Sequence, residues 1–192
     1  MPQKTKNVRD LLIAETLRQI EAVGPEKLSL RKIAAACGVT HATAYKYFEN
    51  KQALIHLCRE RVAKRLIAYM RRAARTAGEP FVAFLKAYLH YMTRHAQYHY
   101  LIHLYPHPLP KSGTSPKKRA EAVDWDTVAD YLKRCGVEEK DFSDILMLTS
   151  TMLNGLITLL NRHALAYNGD PADLVDLLVL EPLSLYPKTG RG

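Results

Sequence analysis

Four histidines, His95, His99, His103 and His107, recur every four residues. On one continuous helix that spacing would stack imidazoles along a face and invite zinc, nickel or haem. No cysteine or acid accompanies them, and Pro106 ends a helix before His107. Pocket or surface histidines are therefore the expectation and no metal or cofactor is assigned, with a metal or haem sensor built on His95, His99 and His103 as the alternative. The same stretch holds Tyr88, Tyr91, Tyr98, Tyr100 and Tyr105, and residues 80–120 contain no Asp or Glu. If it lines a pocket, the pocket offers aromatic walls, neutral polar tips and a few cations, which suits an apolar, aromatic or anionic ligand. A cation would lose its hydration without gaining a counter-charge, unless Asp124 or Asp144 supplied one.

A different chemistry lies between Leu30 and Phe48. If Val39, Ala44 and Phe48 hold a short helix against the one before it, then Thr40, His41, Ala42, Thr43, Tyr45, Lys46 and Tyr47 are left outward as a polar and aromatic set. A small Ala34 at the crossing and a turning Gly38 complete the helix–turn–helix layout that puts a second helix into the DNA major groove. An ordinary helical hairpin shares the spacing. Residues 1–75 hold 16 Lys and Arg against 6 Asp and Glu, whereas residues 76–192 hold 12 against 13. A basic excess confined to one segment fits a polyanion, either nucleic acid or an anionic membrane. The basic helix Arg59 to Arg75 also allows a non-specific nucleic-acid or membrane-binding helical protein. There is no G-x-S-x-G elbow, H-E-x-x-H pair or Gly-rich phosphate loop, so no catalytic residue is assigned and an enzyme is not expected.

The elements that must position these residues read as helices throughout, since no alternating β-branched run bounded by turn signals occurs. The fold class is all-α. Ile13, Leu17 and Ile20 predict a first helix ending before Gly24; Ser29 and Thr40 are N-cap candidates for the second and third, and Asn50 for a long fourth. Pro80 opens a second helical region, and Pro106 to Lys118 reads as a loop. Helices are then expected over Arg119 to Cys135, Asp141 to Tyr167, and from Asp170-Pro171 to about Tyr186. The apolar stretch Ile145 to Leu160 is 16 residues long with five polar side chains, too short and polar for a membrane span. Three cysteines without a C-x-x-C pair and a polar start without an apolar core predict a reduced, cytoplasmic protein.

LSLRKIAAACGVTHATAYKYFENKQAL, residues 28–54, resembles the TetR/AcrR type of bacterial transcriptional regulator through Ile33-Ala34, Gly38-Val39-Thr40, Tyr45-x-Tyr47-Phe48, Lys51 and Leu54. It departs from the pattern at Glu15-Thr16, His41 and Ala44. The resemblance implies a helix-turn-helix DNA-binding domain over 6–66, with its motif at about 29–48, and a helical ligand-binding and dimerisation domain over 67–192. It implies phosphate contacts from Ser29, Arg31, Thr40, Tyr45 and Lys51, and groove-facing positions for His41, Ala42, Thr43, Lys46 and Tyr47. The implied partners are a double-stranded DNA operator, a second copy of the chain and a neutral or anionic small-molecule effector, with no membrane. Effector contacts are expected from Tyr88, Tyr91, His95, His99, His103 and Trp125. A dimer interface is expected around Leu153, Leu156, Leu160, Leu174 and Leu177, on two helices too apolar for one monomer to cover.

Overall fold

Leu12, Ile13, Thr16, Leu17 and Ile20 recur at helical spacing, and all are buried along one face of the first helix, α1 (Pro2–Val23). In the computed structural model, residues 2–106, 125–164 and 167–177 are described, with side chains from Val8 and, in the helix that begins at Trp125, from Val128. Every regular element among them is helical: α2 (Leu30–Ala36), α3 (His41–Tyr45), α4 (Lys51–Ala74), α5 (Pro80–Arg94), α6 (Ala96–His99), α7 (Trp125–Arg134), α8 (Phe142–Asn161) and α9 (Asp173–Val175). A π-helical turn, Tyr100–Leu104, follows α6, and a 3-10 turn, Glu139–Asp141, precedes α8. The all-α class expected from the periodicity is what the chain adopts.

The described residues divide into two compact units. The first holds the chain up to Arg65 together with the segment from His95, which lies inside the stretch 67–192 that the sequence assigns to the second domain. Its core joins the buried face of α1 to Leu30, Ile33, Ala34, Ala44, Phe48, Leu54, Ile55, Cys58 and Val62, and Tyr98 and Leu101 close it. The segment from His95 is tied down by polar contacts. Glu21 on α1 accepts from Tyr98 Oη at 3.1 Å and meets His95 Nδ1. Arg59 on α4 donates to the Leu101 carbonyl (2.9 Å) and the Tyr105 carbonyl (3.1 Å), capping the π-helical turn. Partial desolvation lowers the pKa of this guanidinium from its ordinary value, yet Arg remains a cation at any physiological pH.

The second unit packs Leu85, Leu89 and Met92 of α5 with Leu132 of α7 and Ile145, Leu153, Leu156 and Ile157 of α8. Tyr88 Oη donates to Asn154 Oδ1 at 2.7 Å, Asn161 Nδ2 donates to the Met92 carbonyl at 3.2 Å, and Lys86 pairs with Asp176 at 2.6 Å.

α8 ends at Asn161, six residues short of the sequence expectation, because His163 takes the left-handed conformation (φ 52°). Ala164 N–H then bonds to the Leu159 carbonyl and His163 N–H to the Leu160 carbonyl, closing the helix where glycine is the usual residue. The start of α7 expected at Arg119 and the last helix beyond Leu177 lie outside the described residues. The segment Glu139–Asn161 has 23 residues and contains an 18-residue window of mean hydropathy 1.4, long and apolar enough by length and composition alone to cross a membrane. Its buried row nevertheless packs within the second unit. His163→Gly should raise stability by about 0.5–1 kcal/mol by relieving the left-handed conformation. A higher urea midpoint at unchanged m-value is the expected result, and an unchanged or lower midpoint would show that φ at this position costs nothing.

Candidate nucleic-acid interface

α2 is followed by a turn that only its backbone conformation dictates. Gly38 has φ +67°, its N–H bonds to the Ala35 carbonyl and Val39 N–H bonds to the Ala34 carbonyl, each at 3.0 Å. A Cβ placed on Gly38 would meet nothing within 4 Å, so glycine is present for its dihedral freedom and not for space. α3 follows at once. It has five residues, too few to be stable alone. Thr40 caps it, accepting Thr43 N–H at 3.1 Å, and Ala44, fully buried, is its one buried residue, with Phe48 sealing the exit. Asn50 caps α4 in the same way, accepting Ala53 N–H at 2.9 Å. Ser29 occupies the N-cap position of α2, but its hydroxyl makes no capping bond.

What remains outward is the set singled out from the sequence. Arg31, Thr40, His41, Ala42, Tyr45 and Lys46 are exposed, and Ser29, Thr43, Tyr47 and Lys51 are half-buried. The His41 ring stands edge-on to Tyr45 with centroids 4.6 Å apart, and the Thr40 and Thr43 hydroxyls are 2.8 Å apart. Lys51 Nζ donates to the Glu26 carbonyl at 2.8 Å, which ties α4 to the loop before α2 and leaves two of its three protons for another acceptor. Residues 27–48 carry Lys27, Arg31, Lys32 and Lys46 and no acid. Arg9, which sequence reasoning passed over, lies on α1 with its guanidinium 5.9 Å from the Phe48 ring centroid, adding a cation near the exit of α3. A short helix bearing hydroxyls, an ammonium and an imidazole beside cations, with no carboxylate, can donate to phosphates and base edges in a groove about 12 Å wide.

Residues 12–58 match the model of the bacterial regulatory proteins of the TetR family. Over this segment the chain is similar to the TetR family. The match supports a general DNA-binding regulator role for this segment. Solved structures share the fold over nearly the whole length. A protein of unknown function from Rhodococcus sp. RHA1 is 25% identical, with 92% of this chain and 93% of that one covered and a TM-score of 0.74. A TetR-family transcriptional regulator from Bordetella parapertussis 12822 is 20% identical, with 95% and 96% covered and a TM-score of 0.63. No curated protein matches the chain.

The ligand candidates do not fall in one unit. Tyr88 and Tyr91 belong to the second and His95, His99 and His103 to the first, while the Trp125 side chain lies outside the described residues. Burial pushes the Tyr88 phenol above its ordinary range, with the bond to Asn154 opposing the shift, so it stays a neutral donor. The Tyr91 ring lies 5.4 Å from that of Tyr69. His95 interrupts the helix between α5 and α6, His99 is buried, and His103, exposed, has its ring 5.2 Å from that of His99. Among the described residues no three His, Cys, Asp or Glu side chains gather as a metal would need. The carboxylate-free stretch does receive carboxylates, Glu21 at His95 and Asp176 at Lys86, a pairing that distance along the sequence concealed.

Of the dimer candidates, Leu153 and Leu156 are buried within the second unit, Leu160 and Leu174 are half-buried and Leu177 is 53% exposed. The apolar residues that α8 turns outward are Met147, Leu148 and Leu159, at 70%, 52% and 46% exposure. Because nothing obstructs a side chain at Gly38, Gly38→Ala should cost about 1 kcal/mol and Gly38→Asn, which tolerates positive φ, roughly half of that. Thermal melts check the order; equal losses, or a loss above about 3 kcal/mol for alanine, would point to a steric demand instead.

Proposed function

We propose that this protein is a TetR-type regulator: a cytoplasmic, ligand-responsive repressor that binds a palindromic operator in double-stranded DNA as a homodimer. The observation that carries the reading is α3, a five-residue helix with one buried residue and its remaining side chains turned outward in a segment without acids. Residues 6–66 act as the reading domain and 67–192 as the domain for effector and partner. Ser29, Arg31, Thr40, Tyr45 and Lys51 hold phosphates, which sets register and salt dependence, while His41, Ala42, Thr43, Lys46 and Tyr47 face the bases.

Competition binding tests this. Labelled operator, selected from a random pool, should stay bound in excess random duplex; binding that random DNA titrates away would sink the assignment. Tyr45→Ala should lower affinity for all sequences alike and flatten the slope of log affinity against log salt by about one unit. An unchanged slope would remove Tyr45 from the phosphate contacts.

Support for the homodimer comes from the outward apolar residues of α8, Met147, Leu148 and Leu159, and from the exposure of Leu177. Two linked reading heads gain avidity on a two-fold operator, because the second binding event becomes intramolecular. Leu148→Glu, placed on the exposed side of α8, should abolish a dimer seen for the wild type at micromolar concentration by sedimentation and weaken operator binding without altering base preference. Leu156 is the wrong probe, since a charge there would unfold the monomer. A Leu148→Glu protein that remains dimeric would move the interface elsewhere.

The effector is proposed to bind among residues 80–165 and to be neutral or anionic. The rings of Tyr88 and Tyr91 and the scarcity of local carboxylates support this reading, and Asp176, the carboxylate that reaches α5, is held by Lys86. Coupling to DNA requires only that the effector favour one arrangement of the protein over the other.

A further inference from the structure

The outward face of α8 is charged at its two ends and uncharged between them. Asp144 in the first turn and Arg162 at the C-cap are both exposed. At about 3.6 residues per turn, the eighteen residues that separate them make about five full turns, so the two charges stand in line, about 27 Å apart along the axis. That is too far for them to meet within one chain, and neither forms an ion pair among the described residues. On the same stripe lie Met147, Leu148 and Leu159, with Thr151 and Gly155 exposed at its middle. Glycine is the poorest helix former short of proline. A Cβ at Gly155 would meet nothing within 4 Å, so no contact inside the chain calls for glycine in this 20-residue helix. A bare backbone there lets another helix come close.

Turned end for end, the stripe is its own complement. A two-fold axis passing between Thr151 and Gly155 sets Asp144 against Arg162, Met147 against Leu159 and Thr151 against Gly155, each pair occurring twice as an isologous contact requires. A parallel arrangement would instead place acid beside acid and base beside base, and sliding an antiparallel one by a turn would carry each charge about 5.4 Å past its opposite. We infer that a second copy of the chain docks antiparallel on this face, α8 against α8, with Asp144 of each copy paired to Arg162 of the other and Thr151 and Gly155 at the axis. The inference rests on the proposed homodimer and adds its direction and register.

Sedimentation of the full chain at low salt tests this with the wild type, Asp144→Arg, Arg162→Asp and the double reversal. Each single reversal sets two like-charged pairs face to face and should raise the dimer dissociation constant about tenfold. The double reversal rebuilds both pairs and should bring the constant back to within about threefold of the wild type. Both substitutions oppose the dipole of α8, so the double variant carries the greater cost to the helix, and its recovery separates pairing between copies from any role within one chain. If circular dichroism shows that a reversal unfolds the chain, Asp144→Asn and Arg162→Gln take its place: each should weaken the dimer about threefold, and the two together no more than either alone. Single variants that match the wild type, or a double variant no tighter than the singles, would overturn the direction and register while leaving the homodimer in place. A wild type that stays monomeric at micromolar concentration would overturn the homodimer itself.

Discussion

The left-handed turn at Gly38 is the constraint on which the outward face of α3 depends. Once φ is +67° there, the chain leaves α2 and re-enters a helix within three residues. α3 then buries only Ala44. A helix this short has no propagation energy of its own. Its stability is borrowed from the Thr40 cap, from Ala44 and from Phe48, which frees the remaining positions from any packing duty. Outward chemistry at Thr40, His41, Thr43, Tyr45 and Lys46 is the direct result.

Polar ties do for the segment after His95 what apolar packing does for α1. Glu21, Arg59 and Gln52 reach it from α1 and α4, with Gln52 Nε2 3.4 Å from the Tyr105 hydroxyl. His95 is therefore engaged in holding this segment to α1, and the chain that carries the histidines is broken at His95 and widened into a π-helical turn, with no continuous imidazole face among the described residues. Hydrogen bonds from a guanidinium to free carbonyls are among the stronger ones a protein surface offers, which suits a short segment with few apolar residues to bury.

The α2–α3 unit was legible because each of its determinants is local: a small residue, a glycine, a cap and an aromatic at set spacing. Sequence could not orient α8, because that helix is apolar nearly all round and the choice between Leu156 inward and Leu148 outward depends on what α5 presents to it. Nor could it place the end of α8, since a histidine in the left-handed region carries no composition signal and the next glycine is Gly169. The absence of acids over residues 80–120 read as a missing counter-charge, whereas Glu21 and Asp176 come from helices far along the chain. Arg59 was read as one more cation on a basic helix, and only the carbonyls it faces reveal its role.

The most direct test of the central claim is amide chemical-shift mapping of the isotopically labelled protein titrated with its selected operator duplex. If α3, freed from packing by the turn at Gly38, is what meets DNA, the largest perturbations will fall on residues 29–31 and 40–51. Perturbations confined to the basic residues Arg61 to Arg72 of α4, with α3 unmoved, would contradict the account and make the chain a non-specific polyanion binder.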